Sequence, residues 1–265
     1  MRCTPQSGSI RCGHFRSGVR FLPVWLGIRP FFAPRNRVLH GCLLVCAFAT
    51  VAIVCQLAAA QPVPPAPQAR FVVVLDAAHG GDDAGGRLAN NQLEKSFTLA
   101  LSVRLRSLLG ARGIQVVTTR ESDAAVEPEK RSEIANHAQA QACLSLHVSE
   151  NGLGVHLFAS SLSPAQPTHF APWKTAQAAW VTRSLALEGV LNSALQHAGM
   201  SVTLGRTSLP VVDSMACPAV AVEIAPEMGP DKKAAAGLDD PDYQARVAEA
   251  LAAALVEWRS EAHQP

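Results

Sequence analysis

The sequence predicts an α/β fold: a mostly parallel sheet with helices on both faces. Three observations carry this. Short runs rich in Val, Leu and Ala lack the in-out alternation of a half-solvated strand, as strands buried on both faces do. Between them the apolar spacing changes to that of a helix. The two kinds of segment then alternate, the order expected of parallel strands joined by helical crossovers.

The first run is Phe71–Asp76. From Leu93 a stripe of Leu93, Phe97, Leu101, Leu105 and Leu108 marks a helix, which Gly110 and Gly113 close. Ile114–Thr119 is a β-branched strand, and Pro128, suited to a first helical position, opens a second helix to about Ala140. Ala142–His147 and Gly154–Ser160 read as strands, and residues 163–173, which hold three prolines, as loop. A long helix spans Ala176–Ala198 and ends at Gly199. Val202–Leu204 and Leu209–Asp213 read as short strands and Pro218–Glu223 as a clear one. Asp240-Pro241 starts a last helix with the stripe Val247, Leu251, Leu255 and Trp258.

The first 70 residues have a different character. Residues 1–37 hold seven arginines with no lysine and no acid, and residues 38–60 are almost wholly apolar, ending in Ala58-Ala59-Ala60. A basic start, an apolar core and a small-residue cut describe an export signal over 1–60. A retained membrane anchor is the other reading, since about 20 apolar residues span a bilayer. Residues 61–70 (Q-P-V-P-P-A-P-Q-A-R) form a Pro-rich linker, and 71–262 form one domain. Without the leader, 16 basic side chains face 21 acidic ones, a net charge of −5. That excludes a nucleic-acid partner. Only Cys143 and Cys217 of the seven cysteines remain, which excludes a disulfide-dense scaffold. One disulfide or two buried thiols fit them, and the thiols are the preferred reading.

Four residues carry the chemistry: His79 after the first run, Glu94 at the start of a helical pattern, His147 ending A-C-L-S-L-H and Glu223 ending P-A-V-A-V-E. Three of them lie where a buried strand stops, the edge at which open α/β sheets bind ligands. Two imidazoles and a carboxylate suit a catalytic zinc, and a further carboxylate supplies a base. No H-E-x-x-H or paired C-x-x-C is present, so the fold must assemble such a site. No G-x-G-x-x-G or Walker lysine pattern is present either, which excludes nucleotide binding.

Taken in order, D-A-A-H-G-G-D-D-A-G-G, L-E-K-S-F-T-L-A, V-T-T-R-E-S-D, R-S-E-I-A-N, L-S-L-H-V-S and P-A-V-A-V-E-I resemble the zinc-dependent N-acetylmuramoyl-L-alanine amidases. The resemblance covers residues 71–148 almost continuously and resumes at about 208–257. It implies a three-layer α/β/α sandwich around a mixed, mostly parallel sheet. It further implies Zn2+ bound by His79, Glu94 and His147, with Glu223 the catalytic carboxylate. The implied reaction is hydrolysis of the lactyl–L-alanine amide of peptidoglycan in the periplasm or cell envelope. Membrane contact is then confined to the signal or anchor. Another zinc peptidase of the same fold and a silent peptidoglycan-binding domain are the competing readings.

Asp76 and Asp83 are candidates for supporting the ligands, Asp76 by a hydrogen bond to His79 and Asp83 by organising the glycine turn. Arg120, Arg131 and Asn136 match family positions and are expected to pair structurally. His137, His156, His169 and His197 have no motif around them and are assigned to solvated or packing roles. Trp173 and Trp180 could border a glycan groove or pack against the domain. The chain departs from the family at Ala77-Ala78 (usually P-G), at Val148-Ser149 (usually A-N) and over Ala225–Pro230. No repeat or second module follows residue 60, so targeting is expected from the catalytic domain or a regulatory envelope partner.

Overall fold

The computed structural model describes residues 70–166 and 172–262. The leader, most of the linker and His169 lie outside them. β1 is Val72–Ala77, β2 Gln115–Thr118, β3 Ala142–Val148, β4 Val155–Ser160, β5 Val202–Thr207 and β6 Ala219–Ile224. Helices are α1 Glu94–Ala111, α2 Pro128–His137, α3 Val181–His197, α4 Pro210–Asp213 and α5 Pro241–Ala262.

The six strands order as β2-β1-β3-β6-β4-β5. β2, β1, β3 and β6 pair in parallel, whereas β4 runs antiparallel to β6 and parallel to β5. A parallel crossover needs a dozen or more residues. Residues 149–154, between β3 and β4, are too few for one, so β4 reverses direction. As a result the carboxyl ends of β1, β3 and β6 and the start of β4 share one edge.

Side chains alternate between two cores. Val73, Leu75, Leu144, Leu146, Val220 and Val222 face one way and meet α1, α3 and α5 through Leu105, Leu191 and Leu251. Each such leucine, fully buried, contributes roughly 1.5–3 kcal/mol. Val74, Cys143, Ala219 and Ala221 face the other way, beneath Ala135 of α2 and Val212 of α4. This is the three-layer sandwich around a mixed, mostly parallel sheet. No helix among the described residues is long and apolar enough to cross a membrane.

Three expectations are corrected and one element is added. Cys143 and Cys217 are bonded, with S–S 2.06 Å and Cα–Cα 6.4 Å. Cys143 lies opposite Ala219 across the β3–β6 ladder, so Cys217, two residues earlier, turns to the same face and within reach. Leu209–Asp213 is helical from Pro210 rather than extended. Proline has no N–H to give a ladder and its φ suits a first helical turn, and the Asp213 carboxylate accepts the hydroxyls of Ser160 and Ser208. The single helix expected over Ala176–Ala198 is a 3-10 segment, Trp173–Ala179, followed by α3. There the buried Gln177 side chain donates to the carbonyls of Met215 and Cys217, which holds the short segment onto the second core. Finally, Glu227–Met228 (β7) and Ala234–Ala236 (β8) form a small antiparallel ribbon that the sequence did not announce.

Candidate metal centre

The centre forms at the shared strand edge. His79 lies two residues beyond β1 at φ 63°, and Gly80 and Gly81 follow at 133° and 61°. Left-handed backbone at a non-glycine residue costs about 1–2 kcal/mol, so this reversal needs support. Two buried guanidinium groups supply it. Arg131 donates to the carbonyls of His79 (2.6 Å) and Ala77 (2.6 Å), and Arg120 to those of Ala77 (2.9 Å) and Ala78 (3.0 Å). Hydrogen bonds to charged groups are worth about 1.5–3 kcal/mol each, enough to outweigh the strain. Both arginines therefore act structurally, as does Asn136, which bonds Ser214 and Ala216 ahead of β6.

Glu94 is the first residue of α1 and is 6% exposed. Its Oε2 accepts the Gly86 N–H at 2.8 Å and lies 3.1 Å from His79 Nε2. Its Oε1 accepts the Val148 N–H at 3.2 Å and lies 3.3 Å from His147 Nδ1. Burial opposes ionisation of this carboxyl. The bonds from His147, Gly86 and Val148 and the nearby His79 outweigh burial and hold it below the usual carboxylate range.

The donor atoms of His79, Glu94 and His147 all lie within 4.8 Å of one another. The two imidazoles stand edge to face, 5.8 Å apart. Ligands about 2.0–2.1 Å from a tetrahedral zinc are roughly 3.3 Å apart, close to the two His–Glu separations. Gly85 completes the cradle. A Cβ there would sit 2.6 Å from His79 Cδ2 and 2.7 Å from Glu94 Oε2. The residues present thus fit a zinc ion by donor type and spacing.

The supporting carboxylates divide differently from expectation. Asp83, not Asp76, meets His79, with Nδ1 to Oδ2 at 2.8 Å, and it also accepts the Gly85 N–H. The bond from His79 is the main reason that the Asp83 carboxyl is held below its usual range. Asp76 is buried. It accepts Arg131 Nη1 and Thr119 Oγ1 on one oxygen and Ser145 Oγ on the other, each at 2.8 Å. Ser145 Oγ lies 3.3 Å from His147 Nε2.

Glu223 is the Cα partner of His147 across the β3–β6 ladder, and in-register parallel neighbours share a face. No hydrogen bond or ion pair occupies its half-buried carboxylate among the described residues. On its other side the Cα partner is His156, whose ring stacks on Phe158. Sequence reasoning had set His156 apart from the site. Only the antiparallel register of β4 brings it beside Glu223, and no local motif signals that. His137 and His197 are exposed or on outer helix faces, bonded to carbonyls of their own helices.

A cavity of about 290 Å³ opens beside His79 and His147, walled by Val126, Pro128, Leu209 and Val211. A second cavity shares Pro128 and Pro210 with it and is bordered by Trp173, which is 52% exposed with Lys174 over its ring. Trp180 borders neither cavity. At the departures from the family pattern, Val148 still supplies its N–H to Glu94, and the Ala78 carbonyl is taken by Thr98 and Arg120.

A family model described as N-acetylmuramoyl-L-alanine amidase matches residues 73–257. The germination-specific N-acetylmuramoyl-L-alanine amidase of Bacillus subtilis is 34% identical over 91 residues, 29% of this chain and 38% of that protein. The amidase AmiA of Escherichia coli is 40% identical over 76 residues, 29% of this chain and 26% of that protein. The aligned segments thus span well under half the length of these relatives. The crystal structure of Ami1, an N-acetylmuramyl-L-alanine amidase from Mycobacterium smegmatis, superposes with a TM-score of 0.59 at 21% identity, over 74% of this chain and 100% of that one. That likeness is one of fold.

Proposed function

This chain belongs to the N-acetylmuramoyl-L-alanine amidase family, and we propose that it hydrolyses the amide between N-acetylmuramic acid and L-alanine in peptidoglycan. His79, Glu94 and His147 hold Zn2+ and Glu223 is the base. The observation that carries this reading is the juxtaposition at one sheet edge of a three-ligand set and an unpaired carboxylate. When bound, zinc supplies Lewis-acid polarisation of the carbonyl and acidifies water.

The remaining steps belong to the protein. His79 offers Nε2 because Nδ1 is engaged by Asp83. Glu94, kept ionised by its donors, supplies the negative charge among the ligands. Glu223 takes a proton from the water that attacks the lactyl carbonyl and delivers it to the departing nitrogen. The C–N bond breaks, leaving a carboxylate on the sugar and a free α-amine on alanine. The cavity beside His79 and His147 accepts one flank of the scissile amide.

Location outside the cytoplasm is part of the proposal. It draws on the basic-then-apolar leader and on the Cys143–Cys217 bond, which suits an oxidising compartment. Incubating the protein with a defined muramoyl peptide, with and without chelator, tests the reading. The expected product is a stem peptide with a free L-alanine amine, lost on chelation and restored by zinc. Cleavage only between stem residues would instead identify a peptidase. Binding to sacculi without any product would identify a silent binding domain.

A further inference from the structure

We infer that Ser145, oriented by Asp76, sets the tautomer of His147 and so selects the nitrogen this residue offers to a metal. The inference rests on the metal reading above. Ser145 Oγ carries one hydrogen and lies between two groups, Asp76 Oδ2 at 2.8 Å and His147 Nε2 at 3.3 Å. Asp76 already receives Arg131 and Thr119 on its other oxygen, so it stands in this network as an acceptor. The single serine hydrogen therefore goes to Asp76. What Oγ turns toward His147 is a lone pair, and only a protonated Nε2 can use it. A neutral ring protonated there has its lone pair on Nδ1, the atom that faces the metal position. Without a metal Glu94 Oε1, 3.3 Å away, competes for the ring proton, so the selection acts in the metal-bound protein.

His79 is prepared in the opposite sense, with Nδ1 donating to Asp83 and Nε2 turned toward Glu94 Oε2, 3.1 Å away, and the metal position. The two ligands thus present different nitrogens, each dictated by an aspartate, one directly and one through a serine. The two aspartates differ in freedom. The Asp83 side chain is 66% exposed, so an asparagine there can rotate its oxygen toward His79. Asp76 is buried with Arg131 and Thr119 donating to one fixed oxygen. An asparagine at 76 must therefore keep its oxygen there and point its NH2 at Ser145. The serine hydroxyl would then reverse, donate to His147 Nε2 and force the proton onto Nδ1, where it blocks coordination. Ser145 is in this sense a positioning residue.

Two measurements test this. Long-range 1H–15N spectra of zinc-loaded protein labelled at histidine report which ring nitrogen keeps its proton, and competition with a chromophoric chelator reports zinc affinity. The expected result is an Nε2–H tautomer for His147 and an Nδ1–H tautomer for His79 in the unaltered protein. Asp76→Asn should weaken zinc about 10- to 100-fold, the range for lost support of a ligand. Ser145→Ala should also weaken zinc binding, and Asp83→Asn should cost less than Asp76→Asn. An Nδ1–H tautomer for His147 in the unaltered protein overturns the inference. So does a folded Asp76→Asn that binds zinc as well as the parent. If Asp76→Asn does not fold, the parent spectrum and Ser145→Ala decide. A parent protein that binds no zinc in the chelator competition defeats the metal reading itself, whereas a zinc-loaded parent with the proton on His147 Nδ1 defeats only this inference.

Discussion

Replacing Gly85 by alanine should damage the centre without touching a ligand. Gly85 has φ 64°, and a Cβ on it would lie 2.6 and 2.8 Å from His79 Cδ2 and Cγ and 2.7 Å from Glu94 Oε2. These fall roughly 0.7–1 Å inside normal contact for close-packed atoms. Neither ligand can retreat freely. His79 is tied by Asp83 and by Arg131 at its carbonyl, and Glu94 by two backbone N–H groups. The backbone part of the cost, about 1–2 kcal/mol, can be measured apart from the collision. Gly199 has φ 82° and nothing within 4 Å of an added Cβ, so Gly199→Ala carries strain alone. Both variants should lose about 1–2 kcal/mol of metal-free stability in denaturant, Gly85→Ala somewhat more. Only Gly85→Ala should lose zinc affinity, by at least about tenfold, in a chelator competition. If Gly85→Ala binds zinc as the parent does, the packing argument is wrong. If Gly199→Ala loses zinc equally, the effect is not local.

Glu223→Gln should keep its zinc content while turnover on a muramoyl peptide falls by about 10²–10⁴-fold, the usual contribution of a positioned acid–base group. Retained turnover would remove Glu223 from the mechanism. Glu188 of α3 is buried with Oε1 unpartnered, and burial pushes its carboxyl up to about 7. A folded-state value above the unfolded one favours folding at low pH. The contribution is complete below about 4.5 and is lost as pH rises through about 7, amounting to at most about 3 kcal/mol. Glu188→Gln should flatten urea-measured stability across that window, and an unchanged pH slope would contradict the assignment. Reducing Cys143–Cys217, which closes a separation of 74 residues, should cost about 4 kcal/mol on chain-entropy grounds. A denaturation midpoint indifferent to reductant would refute this.

The parts of the fold legible in the sequence are those with a single physical cause. β1, β3 and β6 are buried on both faces and wrote themselves as unbroken apolar runs. α1 packs one side on a sheet, and its stripe predicted Phe97, Leu101 and Leu105 as buried. Three of the four proposed chemical residues, His79, His147 and Glu223, were picked out because strand ends are marked by where such runs stop, and Glu94 because it opens the stripe of α1. Leu209–Asp213 misled because two valines beside an apolar leucine look extended. The deciding facts, Pro210 at the first helical position and two serines on Asp213, come from Ser160 and Ser208 and so in part from a distant strand. The Cys143–Cys217 bond and the link from Asp76 through Ser145 to His147 both depend on the β1–β3–β6 order. Strand order is a property of the sheet, and one strand's composition does not carry it. The place of His156 beside Glu223 was not legible for the same reason, being fixed by an antiparallel pairing.

The pairing of His147 with Glu223 across β3 and β6 works as a ruler. The spacing between the proposed base and its neighbouring ligand is graduated in backbone hydrogen bonds, about 4.8 Å from strand to strand, and no side-chain packing can stretch it. The backbone sets this spacing whatever the side chains. Side-chain identity at Val148-Ser149 and over Ala225–Pro230 can therefore differ from the family's pattern while the pairing stays in place. The tolerance is sharply uneven along the chain. Insertions in residues 149–154 or 229–233 lengthen a loop, whereas one residue gained or lost inside β6 turns Glu223 to the opposite face of the sheet.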